Sequence, residues 1–264
     1  MPEGDTLFRT AATLHRVLAG KRVARCESQL VTIERADLVG QLVVRVEARG
    51  KNVLIHFEDG RVLHTHMRMH GSWHVYPIGE RWRGKRSEAR VVLTVEDVVA
   101  VCFSAPVVRL LVAGALPRDR EVATLGPDLL DPACDLVQAR VNLRTVPSLE
   151  IGQAIMRQSL VAGVGNIFKS ESLFAVRTNP FRLVSDLDDD ALDRLLGQAR
   201  TFLKANTMHG GARSTRASLS GSKTWVYMRA REPCFVCRTP LEMRRQGPPG
   251  GPPRSTYFCS KCQC

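Results

Sequence analysis

The chain reads as an α+β protein: a mainly β N-terminal domain led by one helix, a helical domain behind it, and a small C-terminal hairpin closed by cysteines. Three observations predict this. Short segments rich in Val, Ile and Leu, separated by turn signals, fill residues 22–112. Helical periodicity with glycine interruptions follows from residue 149. Finally, Cys234-x2-Cys237 and Cys259-x2-Cys262 stand twenty-one residues apart at the end. Strands at that spacing, joined by tight turns, form a β-sandwich or barrel with mostly antiparallel connections.

Taken in order, Leu7, Phe8, Ala11, Ala12, Leu14, Val17 and Leu18 recur at helical spacing between Asp5, a natural N-cap, and Gly20, a natural C′ residue. Strands are predicted at 42–48, 53–57, 62–65, 90–95, 99–103 and 107–112, with Asp59-Gly60 as a hairpin turn. Residues 113–150 read as loop, and Gly126-Pro127 with Pro132 marks a domain boundary. The predicted helices are 149–157, 167–176 and 187–206, the last with Asp188, Asp189 and Asp190 matching its N-terminal dipole. Residues 208–218 form a polar loop, either a mobile substrate loop or a plain linker. The segments 239–242 and 255–258 make the strands of the hairpin, connected through 246–253. The expected division is 1–118 for the β domain, 119–150 for a linker, 151–226 for the helical domain and 227–264 for the zinc hairpin.

With 44% hydrophobic and 24% charged residues, the composition is that of a globular protein. No apolar run approaches the roughly 18 residues of a membrane span, and no signal-peptide pattern opens the chain, so a cytoplasmic protein without membrane association is expected. The net charge of +12 points to a polyanionic partner. It is concentrated: residues 201–264 hold eleven Lys or Arg against Glu232 and Glu242. Nucleic acid, a ribosomal site or an anionic surface each fit such a tail.

Five of the eight cysteines crowd the C-terminus, and four have the spacing of two knuckles closing a tetrahedral zinc site. One structural Zn2+ per chain is therefore expected on Cys234, Cys237, Cys259 and Cys262, because four thiolates leave no open position for a reactant. Cys264 is then the extra thiol. Arg254 stands on the hairpin in a basic region, as a groove or phosphate reader would.

Pro2 becomes the amino terminus when Met1 is removed, and its secondary amine can attack an electrophilic carbon to give an iminium ion. Glu3 supplies a proton shuttle one residue away. Lys51 falls in the turn Arg49-Gly50-Lys51 at a sheet end. The loop His66-Met67-Arg68-Met69-His70-Gly71 combines a cation, flexible apolar side chains and glycine, the makings of a wedge for a base stack as well as of ordinary packing. Asn166 sits near the start of a predicted helix whose amides suit a phosphate.

In order and separation, Pro2-Glu3-Gly4, Arg49-Gly50-Lys51, Gly126-Pro127-Asp128, Val161-Ala162-Gly163-Val164-Gly165-Asn166 with Ser170-Glu171-Ser172, and the paired cysteines resemble the formamidopyrimidine-DNA glycosylase and endonuclease VIII family over nearly the whole chain. The resemblance implies a catalytic N-terminal β-sandwich, a helix-two-turn-helix DNA-binding domain and a zinc finger. It also implies a bifunctional DNA glycosylase and apurinic-site lyase of base excision repair. Pro2 would attack C1′ of the damaged nucleoside, Glu3 would serve as acid and base, and Lys51 would contact the sugar or its phosphate. Asn166, Arg254 and Lys51 would grip phosphates, Met69 would fill the gap left by the flipped base, and Glu171 matches an acidic position near the pocket. The partner would be DNA with oxidised bases or abasic sites, bound by a monomer, in the nucleoid if the source is bacterial. Gly4 resembles the endonuclease VIII branch and oxidised pyrimidines, whereas Met69 resembles the purine branch. Asp5-Thr6 replaces the usual proline-glutamate pair, and Arg157 stands where the family carries an acidic residue. The alternatives are an 8-oxoguanine-type purine glycosylase and a non-catalytic zinc protein that binds damaged DNA.

Overall fold

A computed structural model of the chain describes residues 2–208, 213–217, 221–247 and 252–264. Met1, residues 209–212 and 218 of the predicted loop from 208 to 218, and residues 248–251 of the 246–253 connection lie outside the described residues. The chain divides into two compact units, Met1–Ala123 and Thr124–Cys264.

The first unit opens with helix α1 (Gly4–Leu18), whose buried stripe Leu7, Ala11, Leu14 and Leu18 follows the helical repeat. The predicted cap is displaced: Glu3 occupies the N-cap, and its carbonyl accepts from the Thr6 and Leu7 amides at 2.9 and 3.2 Å. Asp5 instead lies buried in the first turn, 3.8 Å from Arg9. At the other end Gly20 takes φ +78°, the left-handed conformation that stops a helix and favours glycine.

Strand β1 (Arg25–Ser28), a short helix α2 (Val31–Glu34), and strands β2 (Val43–Arg49), β3 (Asn52–Phe57), β4 (Val62–His66), β5 (Ser72–Pro77), β6 (Ala89–Val95), β7 (Val98–Phe103) and β8 (Val107–Leu111) follow. They form two four-stranded sheets, β1-β6-β7-β5 and β2-β3-β4-β8, antiparallel throughout. Val53, Ile55 and Leu63 of one sheet and Val91, Leu93, Ala100 and Cys102 of the other share a single core with α1. This is the β-sandwich that the short, turn-separated apolar segments predict.

Residues 113–150, predicted as loop, carry more structure than that: a 3-10 turn at Leu116–Arg118, helix α3 (Arg120–Ala123) and helix α4 (Leu136–Arg144). Asp135 caps α4 by accepting from the Gln138 amide at 2.9 Å. Leu129, Leu130, Ala139 and Leu143 join the core of the second unit.

That unit continues with α5 (Ile151–Ala154), α6 (Asn166–Ala175) and α7 (Asp189–Ala205), then the hairpin β9 (Glu242–Gln246) and β10 (Arg254–Phe258). Helix α5 is shorter than predicted, starting only after Glu150 bridges to Leu183; within it Gly152 lies tight against Gln246 and Pro180, where a Cβ would come within 2.5 and 2.9 Å of their atoms. Asp188 caps α7, and Leu192, Leu195, Leu196, Ala199 and Leu203 form its buried face. Strand β9 begins where the prediction of 239–242 ends, because Thr239 and Leu241 are already bonded to Cys234 and to Arg231 and Glu232 in closing the first knuckle. A separate cluster of Phe174, Val226, Leu241 and the cysteines underlies the hairpin.

Candidate active site, nucleic-acid contacts and metal centre

In the first unit Pro2 is half-buried and directly precedes the packed start of α1. Glu3 is fully buried at the N-cap of α1, and its side chain makes no cap hydrogen bond. Helix α1 packs on β2 and β3, where His15 Nδ1 accepts from the Val46 amide at 3.1 Å. The same two strands carry the Lys51 turn. Arg49 pairs with Asn52, leaving Gly50 and Lys51 as a two-residue hairpin loop, and Gly50 adopts φ +57°. Asn52 Nδ2 closes the turn on the Arg49 carbonyl at 3.0 Å.

The methionine loop separates its two methionines. Met67 is 2% exposed and belongs to the core, whereas Met69 is 49% exposed, so only Met69 is presented outward. The loop is held shut by the Gly71 amide on the Met67 carbonyl at 2.8 Å. A Cβ on Gly71 would approach Met67 O to 2.8 Å and the Ala105 Cα to 2.9 Å, so glycine is required by this close approach. Arg68 takes φ +48°, and its amide donates to His66 Nδ1 at 3.1 Å. Burial, with the nearby charges of Arg68 and Lys51, pushes the His66 imidazole down to about 4, so it is neutral at physiological pH.

In the second unit Asn166 is the first residue of α6, behind Gly165 as the N-cap. Its Nδ2 donates to the Ser255 carbonyl at 2.8 Å, while its buried Oδ1 has no partner among the described residues. Arg254 immediately precedes Ser255, is exposed, and pairs with Gln246 across the hairpin. One turn along α6, Lys169 is 1% exposed and donates from Nζ to Thr256 Oγ1 at 2.6 Å. Asn166 and Lys169 thus pin the strand that carries Arg254. Thr256 in turn donates to Gln246, and Gln246 to Glu150, at 2.9 and 2.8 Å.

Glu171 faces inward. Its Oε1 accepts from the Val226 and Tyr227 amides at 2.9 and 2.8 Å, and its Oε2 accepts from the Trp225 amide at 2.7 Å and from the Thr215 hydroxyl. With no exposed surface, this carboxylate orders the segment before the cysteine hairpin.

The Sγ atoms of Cys234, Cys237, Cys259 and Cys262 all lie within 4.8 Å of one another. Cys237 and Cys259 are 3.4 Å apart and Cys234 and Cys262 3.9 Å, close to the roughly 3.8 Å edge of a tetrahedron with metal–sulfur bonds of about 2.3 Å. The Val236 amide donates to Cys234 Sγ at 3.4 Å, and hydrogen bonding by Thr239 holds the Cys237 thiol below its ordinary range. The donor set and its spacing therefore fit a metal ion, while Cys264 is exposed and outside the set.

The sequence pattern singles out Pro2, Glu3, Lys51, Met69, Asn166, Glu171, Arg254 and the cysteines, but it misses residues that pack or bond beside them: His15, Asn52, Lys169, Thr256 and Gln246. Only Lys169 carried a local signal, its i+3 spacing from Asn166 on one helix face.

A proline in second position ahead of a β-sandwich, joined in one chain to a helical unit with a four-cysteine hairpin, defines a class of DNA-lesion-processing proteins. The formamidopyrimidine-DNA glycosylase N-terminal domain matches residues 1–106 and the formamidopyrimidine-DNA glycosylase H2TH domain matches residues 125–218, and the chain belongs to this family. It is 39% identical to the probable endonuclease 8 2 of Streptomyces coelicolor, over all of this chain and 94% of the relative. It is 34% identical to the DNA-(apurinic or apyrimidinic site) lyase Nei2 of Mycolicibacterium smegmatis, over 100% of this chain and 99% of that one. Among solved structures, Lactococcus lactis Fpg bound to DNA containing N7-benzyl-Fapy-dG shares the fold, with a TM-score of 0.83 at 21% identity over 99% of both chains.

Proposed function

We propose that this chain is a bifunctional DNA glycosylase and apurinic-site lyase of base excision repair that acts on oxidised bases, pyrimidines favoured, through an amine at Pro2. The observation that carries the reading is a half-buried Pro2 followed directly by Glu3, fully buried at the start of the packed helix behind it. The names of the endonuclease 8 and Nei2 relatives support the same activity.

With Met1 removed, the Pro2 nitrogen lone pair bonds to C1′ and the base leaves with the glycosidic electron pair, taking a proton. Glu3 assists opening of the sugar ring by giving and receiving protons. The resulting iminium acidifies C2′; loss of a C2′ proton expels the 3′ phosphate, and a second elimination expels the 5′ phosphate. Lys51 keeps the Pro2 amine neutral by its own positive charge and meets the sugar or its phosphate. Asn166 and Arg254 hold phosphates beside the lesion, Met69 enters the vacated stack, and the four cysteines hold one structural Zn2+.

Borohydride trapping on abasic-site duplex is the direct test. Protein lacking Met1 should form a covalent adduct, Pro2→Ala should abolish it, and Glu3→Gln should leave α1 folded while slowing excision. An undiminished adduct with Pro2→Ala would overturn the assignment. The exposed Met69 favours a second reading, purine lesions; parallel excision of thymine glycol and 8-oxoguanine from duplexes decides between them.

A further inference from the structure

His64 lies at the centre of a polar line that joins the Lys51 turn to the Met69 loop. Leu63 belongs to the sandwich core, so the alternation of β4 turns His64 to the opposite face of the β2-β3-β4-β8 sheet. There it stands directly across from Arg109 on β8 and diagonal to Asn52 on β3. His64 is fully buried and Asn52 is 2% exposed.

The hydrogen bonds run in one direction and fix every proton. Asn52 Nδ2 is committed to the Arg49 carbonyl, so its Oδ1 faces the imidazole as an acceptor, 2.8 Å from His64 Nε2. Nε2 therefore carries the hydrogen, and Nδ1 is left to accept from Arg109 at 3.1 Å. Arg109 is itself held by Asp119 at 3.1 Å and Glu121 at 3.2 Å, both from the segment that follows β8. The other oxygen of Glu121 meets Arg68 at 3.5 Å. Arg68 is the left-handed residue at the base of the Met69 loop.

Arg49 and Asn52 bound the turn presenting Lys51, and Arg68 precedes Met69, so the two ends of this line are two of the proposed DNA-contacting elements. A hydrophobic pair at 64 and 109 would fill the same space without specifying either end. The polar line, in contrast, has a buried centre at Asn52, His64 and Asp119, where a shift leaves an orphaned donor or acceptor, while its outer end at Arg109, Glu121 and Arg68 is partly exposed.

We propose that His64 and Arg109 are positioning residues that set the Lys51 turn and the Met69 loop in register, so that the cation offered to the sugar and the side chain offered to the vacated base are placed together. This rests on the roles of Lys51 and Met69 given above.

The test compares His64→Leu, His64→Gln and Asn52→Asp in the full-length, zinc-loaded protein. Maximal borohydride-trapping rate at saturating abasic-site duplex is measured, with the half-saturating DNA concentration and the unfolding midpoint. Leucine removes both bonds, whereas glutamine can donate to Asn52 and accept from Arg109. Asn52→Asp keeps an acceptor for His64 but loses the donor that closes the turn. Misplacement of a catalytic group by about 1 Å costs up to about 100-fold, so His64→Leu and Asn52→Asp should slow maximal trapping about 10- to 100-fold with half-saturation changed less than about threefold. His64→Gln should recover most of the rate, and the double variant Asn52→Asp/His64→Leu should be no slower than the worse single one. A 2-aminopurine placed opposite the abasic site should report altered filling of the gap in His64→Leu. Nitrogen chemical shifts of His64 should show the Nε2–H tautomer.

A folded His64→Leu protein that traps DNA within twofold of the parent would overturn the proposal. So would an Nδ1–H tautomer, or a rate loss in His64→Gln equal to that in His64→Leu. Lys51→Ala separates the two levels: if it traps at the parent rate, the role of Lys51 falls and the proposal falls with it; if it is impaired while His64→Leu is not, the positioning line alone falls.

Discussion

Lys169 and Thr256 meet at 2.6 Å inside the second unit, a buried ammonium on α6 donating to a hydroxyl on β10 that is likewise fully buried. Thr256 passes its own hydrogen to Gln246 Oε1 at 2.9 Å. Replacing it by valine removes an acceptor from a buried charge and a donor from a buried amide in one step. Thr256→Val should therefore cost about 2–4 kcal/mol, more than Lys169→Met, which removes the charge together with its need. Urea unfolding measures the order; a larger loss in Lys169→Met would refute it.

Glu171→Gln changes one oxygen into an amide that confronts backbone N–H groups of 225–227 or the Thr215 hydroxyl. The expected cost is about 1–3 kcal/mol, confined to the segment those bonds order. Amide exchange at Val226 and Tyr227 should accelerate roughly 10-fold or more, while exchange along the α1 stripe stays unchanged.

Gly71→Ala tests the methionine loop. Its new Cβ meets backbone of Met67 and Ala105 at under 3.0 Å, and neither can yield as a side-chain tip would. Overpacking of this kind costs about 1–3 kcal/mol. Because the displaced loop carries Met69, excision of a paired damaged base should fall more than trapping on a ready-made abasic site, a ratio that the two assays give directly.

Two histidines, His64 buried and His66 half-buried, give the first unit an acid-side signature. Burial and the charge of Arg109 push His64 down to about 4, with Asp119 and Glu121 opposing; burial, Arg68 and Lys51 do the same to His66. Both folded-state values lie below the unfolded value of about 6.5, so the unfolded chain binds more protons between these limits. Their contribution to stability is full above about pH 6.5 and is lost as pH falls toward 4, with a slope of up to about 1.4 kcal/mol per pH unit for each group. His64→Gln should flatten part of that slope. Equal slopes in parent and variant would refute the assignment.

Much of the sandwich was legible because its strands are short runs rich in Val, Ile and Leu between turn signals, and six of them lie close to the predicted ranges. The strands Arg25–Ser28 and Ser72–Pro77 were not predicted: the first has only Cys26 as an apolar residue, and the second is broken by His74. Helix Leu136–Arg144 escaped because it buries only Ala139 and Leu143, too narrow a stripe to stand out after Pro132. At the site, residues with distinctive chemistry in a fixed order could be read from one dimension. Asn52, His64 and Arg109 could not, since their meeting depends on strand register. Glu171 was legible as a position but not in its direction, because its partners lie more than forty residues away.

The two main cores have no residue in common: the sandwich closes on α1, and the helical unit on α4, α6 and α7. Heat therefore has two interiors to dissolve, and a single melting temperature is an incomplete description of this chain. The cysteines stand on a third cluster at the C-terminal end. Stripping the metal with a chelator should lower the calorimetric transition of Thr124–Cys264 and leave that of Met1–Ala123 in place, so metal-depleted protein would keep a folded scaffold for its amine while losing the hairpin that carries Arg254.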